Sequence, residues 1–181
     1  GDVYKRQTWA SISAGASNIS QIAPERIREE LDRIWVHGNR VRGFDLLVES
    51  GLMKAIFPEI LELRGCEQPP QWHPEGDVFL HTRLMLSLLP ADASLSLVLS
   101  VLFHDIAKPA TFSYDPAEDR IRFNGHDKLG ADMTGEILGR LRYSNAVIDA
   151  ATAGVANHMM FKDVQKMRKS KLKRFMAVSY T

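Results

Sequence analysis

The chain has 181 residues, 45% hydrophobic and 25% charged, with a formal net charge of +1. That length suits one ordinary domain or two small ones, and so balanced a charge singles out neither a nucleic acid nor a membrane as partner. A lone cysteine, Cys66, excludes a disulfide framework and fits a reducing cytoplasm. The most apolar run, 95–106, is too short to span a bilayer and carries Ser96, Ser100, His104 and Asp105. Residues 1–20 hold no continuous apolar stretch of the signal-peptide kind.

Both ends read as foreign. Residues 2–7, DVYKRQ, are what GATGTGTATAAGAGACAG encodes, the mosaic end of a transposase-based sequencing adaptor. The last four residues, VSYT, are encoded within the reverse complement of that DNA. Residues 1–7 and 178–181 are therefore expected to be adaptor scars, set aside from fold reasoning, and the natural protein is expected to be longer.

Between the ends the pattern is helical. Pro24 suits a first helical position, and Glu25, Glu29 and Glu30 favour that helix start. Ile27, Leu31 and Ile34 recur at helical spacing, with Arg28–Asp32 and Glu29–Arg33 expected as i,i+4 pairs on the wet side. Gly38-Asn39 closes this helix. A second is expected over 41–49, stopped at Gly51, and a third over 52–63, interrupted near Pro58. Residues 65–76, with Gly65, Pro69, Pro70, Pro74 and Gly76, form the best internal boundary.

A helix over 77–89 follows, stopped by Pro90. Asp92 or Ser94 caps the next, which is apolar nearly all round, should lie at the centre of the core and should end at Pro109. Alternating polarity over 111–114 and 120–123 predicts a small β-hairpin. Two last helices are expected over 128–141 and 144–159, with Ser144 as N-cap.

Four of the six histidines, His81, His104, His126 and His158, each fall in or beside a different predicted helix, and Asp105 follows His104. Imidazole and carboxylate donors converging from several elements are what a divalent metal requires. An isolated His-Asp pair is more often a capping carboxylate beside a surface histidine. Three further histidines at helix-sized intervals reverse that weighting. A carboxylate buried at that position needs a cation, either a metal or Lys108.

The ordered series His73-Pro74-Glu75-Gly76-Asp77-Val78, His81-Thr82, Leu102-Phe103-His104-Asp105-Ile106-Ala107-Lys108-Pro109, Gly125-His126-Asp127 and Asn157-His158-Met159 resembles the HD domain of the bacterial tRNA nucleotidyltransferase and poly(A) polymerase family. Upstream, residues 25–31 and Glu49-Ser50-Gly51-Leu52, with Pro58-Glu59-Ile60, resemble the helical neck that follows that family's catalytic head. The resemblance covers about residues 18–176. It implies an all-α fold: a helical neck, 18–64, then an HD bundle with its small hairpin, 65–176.

The resemblance further implies a metal-dependent phosphohydrolase acting on nucleotides, cyclic phosphates or RNA ends. Its divalent ion, such as Mg, Mn or Ni, would be held by His81, His104 and Asp105. Lys108 would steer or neutralise the phosphate, and His126 and His158 would complete the site as ligands or as proton donor. The pattern usually closes with a second aspartate. Here Asp149 comes too early and Asp163 too late, so His158 either replaces it or the site is degraded. The head that transfers nucleotides is absent from this chain.

Seven Lys or Arg fall within 162–174, and Lys166, Arg168, Lys169, Lys171, Lys173 and Arg174 are the candidate contacts to tRNA or another RNA. Arg26, Arg28, Arg33, Arg40 and Arg42 form a weaker basic cluster. Trp35 and Trp72 suit packing better than base stacking, and Met133, Met159, Met160, Met167 and Met176 read as core filler. His37 reads as a surface histidine and Cys66 as a structural thiol. Two rivals stand beside the enzyme reading: a catalytically silent tRNA platform and a stand-alone nucleotide phosphohydrolase.

Overall fold

The computed structural model describes residues 2–69 and 74–160. The basic run over 166–174, Trp72, His73, Asp163, Met167 and Met176 lie outside the described residues. A first helix, α1 (Asp2–Gly15), leads into a 3-10 turn over Ala16–Gln21, so helix extends through residues expected to be a scar. Then come α2 (Pro24–Val36), α3 (Arg40–Glu49), and two short helices, α4 (Leu52–Ile56) and α5 (Pro58–Leu61), with the break before Pro58 where it was expected. After residues 65–77 come α6 (Val78–Leu88) and α7 (Leu95–Phe103). Ser94 is the cap of α7, its hydroxyl accepting from Leu97 N at 3.3 Å.

Pro109 does not end α7. That helix stops at Phe103, and Pro109 lies in the first turn of the short α8 (Lys108–Thr111), where a missing N–H costs nothing. The hairpin is β1 (Ser113–Asp115) against β2 (Arg120–Arg122), antiparallel with Ser113 opposite Arg122; Thr111 belongs to α8. The last two helices are α9 (His126–Arg140) and α10 (Asn145–Asn157). Ser144 sits at the N-cap of α10, but its side chain makes no capping bond.

Helix α7 is central, packing on α2, α6 and α10, and α9 lies along α10. Its crossing with α10 is close because one partner lacks a side chain: a Cβ on Gly154 would stand 2.2 Å from Ser100 Oγ. That hydroxyl instead donates to Ala151 O across the crossing at 3.2 Å. A second close approach is at Gly130 of α9, whose missing Cβ would meet Val155 and Ile106. These two approaches draw the C-terminal ends of α7 and α10 and the start of α9 to one place.

One buried cluster runs from Leu31 to Val155 through both halves of the sequence. Trp35 lies 6.5 Å from Phe57, and Phe57 meets Phe103 edge-on at 5.5 Å. Each such ring contributes on the order of 2–3 kcal/mol by burial. Met133 packs against this cluster, but Met159, beyond the end of α10, is 44% exposed.

Arg40 is buried at 2% exposure, which removes it from the basic cluster. Its guanidinium donates to the carbonyls of Trp35, Leu89, Pro90 and Ala91, latching α3 to the α6–α7 turn. The expected i,i+4 pairs of α2 also form otherwise. Arg33 pairs with Glu30, Arg28 donates to Arg142 O, and Asp32 accepts from Tyr143 Oη at 2.6 Å. Tertiary partners claim Arg28 and Asp32, while Arg33 keeps a helix-surface pair at the i,i+3 spacing.

Replacing Arg40 with Met should cost about 3 kcal/mol or more, because four carbonyls lose a charged donor that water cannot replace. Urea unfolding of wild type and variant measures this, and Arg40→Lys should recover only part, since one ammonium cannot reach all four acceptors.

Candidate metal centre

Asp105 is the hub. It sits on the turn after α7, 2% exposed, where the turn to α8 also brings up Lys108. The Lys108 ammonium lies 2.8 Å from Asp105 Oδ2. Four imidazoles face the same carboxylate by their Nε2 atoms. His104 approaches Oδ2 at 3.1 Å and His81 at 3.8 Å; His126 and His158 approach Oδ1 at 3.5 and 3.6 Å. Two sets of donors therefore share Asp105: His81 and His104 on one side, His126 and His158 on the other, with the ligand atoms of each set within 4.8 Å of one another.

Local backbone geometry aims these rings. His104 and His158 are the C-cap residues of α7 and α10, and each turns Nδ1 back onto the carbonyl three residues earlier, Val101 at 2.7 Å and Val155 at 2.6 Å. His126, at the start of α9, does the same with Phe123 O at 2.7 Å. His81, one turn into α6, places Nδ1 against Glu75 Oε1. A ring whose Nδ1–H is given to an oxygen carries its lone pair on Nε2, the tautomer a metal ligand needs.

Charge in the cluster follows from burial and neighbours. Burial alone would raise the Asp105 carboxyl, but His104, His158 and Lys108 outweigh it and hold the group well below the usual carboxylate range. Burial opposes a charge on His104 as well, yet Asp105 raises that imidazole above its ordinary value. Burial lowers His126. The Nε2 atoms of His126 and His158 stand 3.1 Å apart, a spacing that calls for a shared proton or a cation between them.

The fit of a divalent cation is good on the chemistry of the donors: neutral imidazole nitrogens and one carboxylate converge from four helix ends, and each ring is held by a further oxygen. His81, His104, Asp105, His126 and His158 are brought together as the sequence spacing suggested. Asp149 is exposed on α10 and joins neither donor set, while His158 takes a place in the cluster. Lys108 is brought in too, but its ammonium is taken up by Asp105 and by Gln68 Oε1 at 2.5 Å, above the Phe123 ring. His37 is exposed, accepting from Asn39 N, and Cys66 is buried and free.

Three neighbours carried no sequence signal for their roles. Glu75 stood inside a quoted motif without an assigned partner, Phe123 read only as a strand residue, and Gln68 lay in a proline-rich loop. Asp77 places that loop: its carboxylate caps α6 at Leu80 N and accepts from Gly65 N at 2.7 Å.

The fold and the cluster define a helical domain built around a histidine–aspartate centre. Residues 77–179 match the HD domain family, and the chain belongs to that family. Residues 5–63 match the family described as "Probable RNA and SrmB- binding site of polymerase A". Among characterised relatives, the chain is 37% identical over 159 residues to the A-adding tRNA nucleotidyltransferase of Deinococcus radiodurans, covering 86% of this chain and 36% of that protein. It is 35% identical to the CC-adding tRNA nucleotidyltransferase of Thermus thermophilus over 76% of this chain and 32% of that one. It is 33% identical to the Multifunctional CCA protein of Thioalkalivibrio sulfidiphilus over 75% and 32%. The chain thus spans about a third of the length of these relatives. No helix among the described residues is long and apolar enough to cross a membrane.

In metal-free protein, Asp105→Ala should cost about 3 kcal/mol, because it strands the Lys108 charge at a buried position. Chemical denaturation in the presence of a chelator tests this, and an unchanged midpoint would mean that Lys108 finds water instead.

Proposed function

We propose that this chain is the neck and HD portion of a tRNA nucleotidyltransferase-like protein acting in tRNA 3′-end processing, and that its HD centre is a metal-dependent phosphohydrolase acting on nucleotides or RNA ends in the cytoplasm. The convergence of four imidazole Nε2 atoms on the Asp105 carboxylate is the observation that carries this reading. The names of the relatives supply the RNA context.

On this reading His81, His104 and Asp105 hold the cation, with His126 and His158 completing the site. Bound there, a divalent ion would polarise a phosphoryl oxygen and bring the pKa of its water toward about 7. Glu75, Val101, Phe123 and Val155 keep the four rings in register. Lys108 balances Asp105 so that its carboxylate stays ionised while buried. His126 and His158 would serve there as further ligands or as the proton donor to a leaving oxygen.

Adding Mn²⁺, Ni²⁺, Co²⁺ or Mg²⁺ should raise the melting temperature, and Asp105→Asn should remove that rise. His104 must shed its proton to present Nε2, and its pKa is raised. Metal affinity should therefore fall as pH drops, beginning above the ordinary histidine value of about 6.5. Equal affinity at pH 8 and pH 6 would remove His104 from the ligand set. With metal bound, a 2′,3′-cyclic nucleotide, a nucleoside phosphate or a phosphorylated RNA end should be hydrolysed, and Asp105→Asn should lower that rate about a hundredfold or more. No hydrolysis with any metal would leave the silent-platform reading in its place.

The basic run is assigned to RNA on charge alone. Replacing Lys169, Lys171 and Lys173 with Ala should weaken tRNA binding and flatten its dependence on log salt by about 0.9 for each phosphate left unneutralised. An unchanged slope would make the run a solvated face.

A further inference from the structure

Three buried polar side-chain atoms among the described residues lack a hydrogen-bond partner: Trp35 Nε1, Thr82 Oγ1 and Gln68 Nε2. Only Gln68 hydrogen-bonds a side chain of the histidine–aspartate centre, through Lys108. Gln68 is 5% exposed. Its carboxamide cannot be turned round, because Lys108 is purely a donor and requires Oε1 on its side. The amide N–H groups are therefore fixed on the other branch of the same carboxamide, buried and without an acceptor. A buried donor left so costs about 1–3 kcal/mol, a cost that an anionic ligand oxygen would remove.

We propose that Gln68 is a substrate-binding residue of this centre, its Nε2 donating to a phosphoryl oxygen of the phosphoester; this rests on the phosphohydrolase reading above. The loop that carries it is held in place for that task. Gly65 N is bound by Asp77, and Val78 N donates to Cys66 O at 3.1 Å, so residues 65–68 are tied to the start of the helix that bears His81. Lys108 then has two duties, neutralising Asp105 and orienting the Gln68 amide. The donor offered to phosphate is a neutral amide beside a cation, which recognises the oxygen of any phosphoester and no base in particular.

Two variants separate this from a structural role. Gln68→Glu keeps an oxygen acceptor for Lys108 and replaces the N–H donor with an oxygen that repels phosphate. Gln68→Met removes both. Each is prepared as the full chain, loaded with Mn²⁺, and its manganese isotherm measured. Binding of inorganic phosphate, adenosine 5′-monophosphate and a 3′-phosphorylated oligoribonucleotide is then measured by calorimetry.

Both variants should bind manganese as the wild type does and melt within a few degrees of it when ligand-free. Both should bind all three phosphate probes about ten- to a hundredfold more weakly, the worth of one hydrogen bond to a charged group. A loss confined to the oligoribonucleotide, or to the mononucleotide, identifies which source the donor serves. Wild-type phosphate affinity in Gln68→Glu would overturn the proposal and leave the hydrolase reading standing. So would a large drop in melting temperature without a change in phosphate affinity. A wild-type protein that binds metal but none of the three probes would overturn both together.

Discussion

A carboxylate withdrawn from water must be met by positive charge, and Asp105 is almost completely withdrawn. Its lysine comes from three residues along its own turn, and its imidazoles come from four separate places in the chain. The order of helices, the tight crossing of α7 on α10 and the placement of α9 all have the effect of delivering those groups to one point. The rest of the described structure can be read as support for that delivery: helix ends that terminate where a histidine is wanted, glycines where two helices must approach, and an aspartate cap that fixes the start of α6.

The same constraint explains why the rings are so firmly set. Three of them hang by Nδ1 from a carbonyl three residues back, two of these at the open end of a helix. At α10 and at the start of α9 the same carbonyl also accepts the histidine's own backbone N–H, so residue and ring are tied to one oxygen. One hydrogen bond from each ring thus fixes the tautomer and points Nε2 at Asp105. Local helix termination and site geometry are a single feature here, repeated on α7 and α10.

Much of this was legible in the sequence because it depends on periodicity and punctuation. The helices from Pro24 onward apart from α8, the break at Pro58, the hairpin and the convergence of His81, His104, Asp105, His126 and His158 were all expected. The differences arise where tertiary partners, which leave no periodic trace, decide a residue's role, and where one residue type can do two things. Arg40, Arg28 and Asp32 sit at helix-surface spacing and read as solvated charges, yet distant carbonyls and Tyr143 claim them. Pro109 reads as a stop but serves as a start, since a proline ends one helix and opens another with equal ease. Gln68 was invisible, because an amide in a proline-rich loop carries no pattern until the fold sets Lys108 against it.

The aromatic chain Trp35–Phe57–Phe103 has a consequence for how such a protein can be inherited. The ring that backs the turn bearing His104 is contributed by the earlier stretch of sequence, and Arg40 of that stretch fastens the loop that leads into α7. A gene rearrangement that joined the later helices to a different forerunner would have to furnish new stand-ins for Trp35, Phe57 and Arg40 at the same moment. The two stretches are coupled through their packing, so a substitution deep in the first would be answered most readily by a change in the second.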